Sequence, residues 1–167
     1  EELGVEYLRR DCANLEKIPD NEFDLTIMNF LLCGIDTKDK ISSIFKETFR
    51  VTKHSGKVLF TFHHPLQLTL QGEEINPSSP VSNKGPTDYF ASGSKVEREI
   101  RTVENGFAKV DNFHWTIEDY ITCFVNAGFL IDAIREPMPV NVPAEFKKVF
   151  EIAYSIPLYM VVRGIKP

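Results

Sequence analysis

The sequence predicts an α/β domain built on a mainly parallel sheet, and three stretches carry that reading. Phe23 to Leu32 (FDLTIMNFLL) runs almost unbroken in apolar residues through Leu25, Ile27, Met28, Phe30, Leu31 and Leu32, as strands covered on both faces of a parallel sheet do. Lys38 to Thr52 then sets Ile41, Ile44, Phe45, Phe49 and Val51 mostly at helical spacing, with charged residues on the other face. Lys57 to Phe62 (KVLFTF) is a second strand of buried type, and strand, helix, strand at this length is a βαβ unit. Ligands of such sheets bind at the carboxyl ends of the strands. Asn29, Phe30, His63 and His64 therefore stand where chemistry is expected.

Composition narrows the field. The 167 residues, 43% of them hydrophobic, suit one domain with one core. The formal net charge is -5 and the lysines and arginines are scattered, so the basic stripe that nucleic acid or anionic lipid selects is missing and neither is expected as a partner. Cys12, Cys33 and Cys123 are odd in number, far apart and without a CxxC pair. That argues against a disulfide framework and a zinc site and for a reducing, cytoplasmic setting. Apolar runs stay well short of the ~20 residues that span a bilayer. The chain opens at Glu1 in what reads as a helix end closed by Gly4, so an amino-terminal part is expected to be missing.

Taken in order, Val5 to Leu8 reads as a short strand with Asp11 at its carboxyl end, and Pro19, Asp20 and Asn21 form a turn before Phe23. His54, Ser55 and Gly56 end the first helix. Gln67 to Gly93, rich in Pro, Ser, Asn and Gly, reads as a long irregular loop, and such loops in compact domains are usually lids or disordered. Lys95 to Thr102 alternates like an exposed strand and Phe107 to Phe113 returns beside it, with Asn105 and Gly106 as the turn. Residues 67 to 113 are thus one insertion holding a β-hairpin. Thr116 and Asp119 have capping-box form before a helix that ends at Gly128. Phe129 to Arg135 is a strand, Pro137, Pro139 and Pro143 mark a loop, Ala144 to Tyr154 reads as a helix, and Leu158 to Val162 is the last strand.

Several short motifs stand in a fixed order along this frame. They are Asp11 after a strand, the Phe23-Asp24 opening, Arg50-Val51 with Gly56 before the next strand, His64-Pro65 after it, Asp88 to Phe90 with Gly93, and His114 with Thr116 and Tyr120. Ala127 to Phe129 and Arg135 to Pro137 with Pro139 complete the set. In that order and spacing the chain resembles the class I S-adenosylmethionine-dependent methyltransferases, in their type 11-like, small-molecule branch. The resemblance implies a Rossmann-like methyltransferase sheet of order 3-2-1-4-5-7-6, truncated at its amino end, with residues 67 to 113 as a substrate cap. It also implies a small-molecule acceptor and S-adenosylmethionine as donor. Asp11 would accept from the adenine amino group, the Cys12 amide would meet an adenine nitrogen, and Asn29 and Phe30 would line the methionine end. His63, Tyr89 and Phe90 would face the acceptor, and His64 or His114 would take its proton.

One departure matters. The glycine-rich loop and the acidic residue about 20 positions later that hold the cofactor in such folds precede the third strand and are missing, which makes residues 1 to 167 a partial domain, marginally stable and weak in cofactor binding alone. The residues leave other readings open. His64 serves equally as a base or as a strand-end ring bonded to a carbonyl, His63 faces the opposite way, and Trp115 reads first as a helix staple. Tyr89 and Phe90 read first as pins holding the cap to the body, and Cys33 as a packed thiol. No metal is expected, since the four histidines and the carboxylates show no ligand spacing. The rivals are a non-catalytic module that binds a partner protein and a dinucleotide-dependent oxidoreductase of the same fold class.

Overall fold

The structure, a computed structural model, describes residues 4–69, 81–101, 107–144, 147 and 151–167. Strand β1 (Phe23–Asn29) pairs in parallel with β2 (Thr52–His63), and helix α1 (Lys38–Val51) links them. Strand β7 (Tyr159–Ile165) lies antiparallel along the other edge of β2 and carries β6 (Leu130–Arg135), again antiparallel, on its far side. The order is β1-β2-β7-β6, the 4-5-7-6 part of the expected sheet. β1, β2 and β6 consequently run the same way. Their carboxyl ends meet along one edge, beside the start of β7.

Local chemistry fixes the helix ends where the sequence puts them. The Thr37 hydroxyl accepts from the Lys40 amide ahead of α1, and Thr116 and Asp119 close both halves of a capping box ahead of α3 (Ile117–Asn126). After α1 the chain turns sharply through Ser55, at φ 63°. A side chain at Gly56 would put its Cβ 2.7 Å from the Lys53 carbonyl, so only glycine fits. A Cβ at Gly164 would stand 2.3 Å from Phe124. That bare spot on β7 is what lets α3 lie close to the sheet.

Both long helices pack on one side. Met28, Val58, Phe60, Phe62, Met160 and Val162 point from the sheet into a single core with Ile41, Ile44 and Phe45 of α1 and Tyr120, Cys123 and Phe124 of α3. Phe45 stands edge-on to Phe60 and Phe124 at 5.1 and 5.2 Å, a preferred aromatic geometry. The opposite face is open: Leu25 is 54% and Ile27 58% exposed. The expectation that β1 is covered on both faces is therefore corrected. Its apolar run reports the type of sheet, whereas burial depends on a second helical layer that the described residues do not supply.

Val5 to Leu8 also departs from expectation. It forms no strand, and Tyr7 is 89% exposed; the outer edge of β1 takes no partner among the described strands. The segment that follows is fastened instead by Arg50, which donates to the Leu15 and Ile18 carbonyls and to Glu47 and Asp20.

The 67–113 stretch folds in part as a second sheet, order β3-β4-β5, of β3 (Val81–Lys84), β4 (Ser94–Arg101) and β5 (Phe107–His114). The expected β4–β5 hairpin is present, with Ser94 opposite His114 and Arg101 opposite Phe107. Its Asn105-Gly106 turn lies outside the described residues. A strand at Val81–Lys84 was not expected, since Val-Ser-Asn-Lys shows no apolar alternation. Of the expected helix at Ala144 to Tyr154, a 3-10 turn at Ile152–Tyr154 is described, and much of the rest lies outside the described residues.

The carboxyl end of the chain locks α1. Lys166 is buried, and its Nζ donates to the Phe49 and Thr52 carbonyls at 2.8 and 2.9 Å and to Asn21 Oδ1 at 2.9 Å. Lys166→Met keeps the apolar stem but orphans both carbonyls. It is expected to lower unfolding free energy by about 2 kcal/mol, read from the denaturant midpoint at unchanged m-value.

Candidate active site

At the carboxyl end of β1 the chain leaves the sheet through Phe30, a bulky residue held at φ 54°, a conformation uncommon outside glycine. Its amide donates to the Thr61 carbonyl at 3.1 Å, while Thr61 Oγ1 donates to Asn29 Oδ1 at 2.6 Å. The left-handed turn brings the Phe30 ring onto His63 at the end of β2, stacked at 4.8 Å. Tyr159 opens β7 directly opposite His63, with ring centroids 5.4 Å from Phe30 and 5.7 Å from His63. Three strand ends thus contribute one aromatic group each to one cluster.

Hydrogen-bond donors settle the tautomers of His63 and His64. Arg98 of β4 donates from Nη1 to His63 Nε2. A guanidinium only donates, so Nε2 accepts and the ring proton sits on Nδ1. Burial, aided by the Arg98 charge, pushes His63 down to about 3. His64 turns the other way: its Nδ1 accepts from the Leu66 amide at 3.2 Å, capping the short helix α2 (Pro65–Leu68), so its Nε2 is the donor and meets Glu136 Oε1 at 3.1 Å. Cys33 Sγ accepts from the His63 amide at 3.5 Å, and burial pushes this thiol up to about 11.

His114 is fully enclosed. Its Nε2 donates to the Tyr89 carbonyl at 2.6 Å, and its Nδ1 has no partner among the described residues. The ring bolts β5 to the Tyr89 loop. The Tyr89 hydroxyl in turn accepts from the Ile117 amide at 3.3 Å. Phe90 rests edge-on against Tyr89 and is otherwise 81% exposed. Trp115 is buried and donates from Nε1 to the Ile35 carbonyl at 2.9 Å.

Residues 1–60 match a family model described as a methyltransferase domain. Among solved structures, an S-adenosylmethionine-dependent methyltransferase from Mesorhizobium loti is similar at 18% identity and TM-score 0.65, over 99% of this chain and 71% of that one. A proposed S-adenosylmethionine-dependent methyltransferase from Listeria monocytogenes is similar at 22% identity and TM-score 0.63, over 93% and 66%. One from Clostridium acetobutylicum is similar at 14% identity and TM-score 0.60, over 93% and 62%. The fold is that of the S-adenosylmethionine-dependent methyltransferases. The chain spans between 62% and 71% of the length of these three methyltransferases. Among curated proteins none matches it in sequence.

Within this methyltransferase fold, Asn29, Phe30 and His63 come together at the strand ends, whereas His64 turns away toward Glu136. Tyr89 and His114 belong to the joint between the second sheet and α3, and Phe90 lies beside that joint. Asp11 stands in an exposed turn, where one carboxylate oxygen accepts from the Ala13 amide at 2.9 Å, and Cys12 packs half-buried against the core. Sequence reasoning missed Arg98, Glu136 and Tyr159. A signal for Arg98 was present: it follows Val96 by two residues on β4, and Val96 is fully buried, so the alternation points the arginine inward.

The neutral state of His63 has a pH signature. Between the ordinary value of 6.5 and about 3 the unfolded chain takes up a proton at this ring that the folded chain refuses, so its contribution to stability is full above 6.5 and is lost as pH falls toward 3. In His63→Gln the loss of stability between about pH 7.5 and about pH 5 is expected to shrink relative to the parent. Denaturant midpoints at the two pH values decide it, and an unchanged difference would mean that His63 titrates normally.

Proposed function

We propose that the protein transfers a methyl group from S-adenosylmethionine to an oxygen or nitrogen of a small molecule. The observation that carries this reading is the meeting of Asn29, Phe30, His63 and Tyr159 where β1, β2 and β7 meet in a sheet of methyltransferase order. The donor supplies an electrophilic methyl group when bound. The residues present fit two of its ends. Asp11 keeps one carboxylate oxygen outside its own turn for the adenine amino group, next to the Cys12 amide, and Asn29 and Phe30 bound the methionine end. The chain offers no glycine-rich turn, since no two of its nine glycines stand close in sequence.

Transfer at such a carbon needs alignment above all. The second sheet serves as the cap that supplies it, through β4. Where the acceptor must lose a proton, the reading assigns this to the His64–Glu136 pair, because Glu136 is half-exposed whereas the His114 ring is enclosed. The location assigned is the cytoplasm. Among the described residues no helix is long and apolar enough to cross a membrane.

Titration of S-adenosylhomocysteine into the full-length protein tests the donor half. Saturable binding is expected, weakened about tenfold by Asp11→Ala. Glu136→Gln is expected to slow methyl transfer by about a hundredfold and to leave that affinity unchanged. A second reading, a non-catalytic module that binds a partner protein, draws on the open sheet face at Leu25, Ile27 and Leu130; absence of any binding would favour it.

A further inference from the structure

The contacts around His63 carry an inference about the acceptor. Arg98 is 5% exposed and donates to His63 Nε2, which leaves the proton on Nδ1. That Nδ1 is buried and has no hydrogen-bond partner among the described residues. Buried N–H groups in native structures are nearly always paired, so an acceptor atom is what this position lacks. The guanidinium behind the ring makes a negatively charged oxygen the favoured acceptor, since charge-assisted hydrogen bonds are about twice as strong as neutral ones. Two neighbouring groups among the described residues do not oppose it. The Cys33 thiol is held protonated, and Glu136 lies against His64, which turns the other way from His63.

The cluster also has an apolar side. Tyr159, which flanks His63, lines a cavity of about 310 Å³ together with Pro137, Met138, Val140 and Leu158. Space of that size with mainly apolar walls, next to the His63 ring through Tyr159, suits the apolar body of a small molecule. We propose that the methyl acceptor carries a carboxylate, received by the His63 Nδ1–H with the Arg98 charge behind it, while its apolar body occupies the cavity that Tyr159 lines. This rests on the methyltransferase reading for the word acceptor; the anion site itself rests on the contacts around His63.

The test uses cinnamate and its neutral amide, cinnamamide, titrated by calorimetry into the full-length protein. Cinnamate is expected to bind about tenfold more tightly than the amide, Arg98→Met to abolish that preference, and Arg98→Lys to keep part of it. Equal affinities, no binding of either probe, or a preference that survives Arg98→Met would overturn the proposal. Because Arg98→Met removes a buried group and can impair folding, a second measurement uses the unaltered protein. The carboxyl carbon of isotopically labelled cinnamate should titrate at lower pH when bound than when free, and an unshifted titration would overturn the proposal as well. S-adenosylhomocysteine is titrated in parallel. Its binding without a cinnamate preference overturns the anion site alone, whereas a cinnamate preference without its binding supports the site and sinks the methyltransferase reading.

Discussion

The antiparallel register of β2 against β7 governs the molecule. It sets Lys57 opposite Ile165 and His63 opposite Tyr159 with no shift between, while β1 holds the other edge of β2 in parallel. A slip of one residue would turn every side chain of a strand to the other face. Phe60 and Phe62 would leave the core, and His63 would exchange places with His64. The apolar alternation that buries Val58, Phe60 and Phe62 thus also points His63 at Phe30 and Arg98. Core packing and site geometry have one cause.

The second sheet is tied to the body by a handful of polar contacts. Asp119 is the densest of them: it accepts from the Thr116 amide and hydroxyl, from Lys38 of α1 at 2.5 Å and from Ser92 of the turn before β4. Burial works against its charge, yet these donors outweigh it and hold the carboxyl at about 2. The same aspartate therefore caps α3, bridges to α1 and anchors the turn that starts β4. With the His114 and Trp115 bonds it fixes where β4 runs, and so where Arg98 stands. A partly enclosed polar network of this kind specifies one arrangement more than it adds stability.

Much of this was legible in local sequence. The βαβ unit, the capping box, the β4–β5 pair and the final strands rest on periodicity and on turn or cap chemistry confined to a few residues each. What escaped depends on distant partners. The strand-like composition of Val5 to Leu8 cannot report whether its backbone reaches a ladder, and the apolar run of β1 cannot report whether a second helical layer lies across it. At the candidate site, Asn29, Phe30, His63 and His64 could be set at or just past strand ends because strand ends can be read from pattern. His114 was placed at its joint only by the Tyr89 carbonyl 25 residues away in sequence. Arg98 was hidden because a charged residue in an exposed-looking strand reads as solvated until Val96 is seen to be buried beside it.

Arg98 and His63 belong to different sheets. The imidazole is bound up with the β2–β7 ladder and the core behind it, whereas the guanidinium is lent by β4, whose register against β5 does not involve the larger sheet. The two halves of the pair thus hang from separate ladders. A single amino-acid change at position 98 alters the charge beside His63 without removing a backbone hydrogen bond of the β1–β2–β7 ladder that positions Asn29, Phe30 and Tyr159. Descendants of such a chain can diverge in diet before they diverge in architecture.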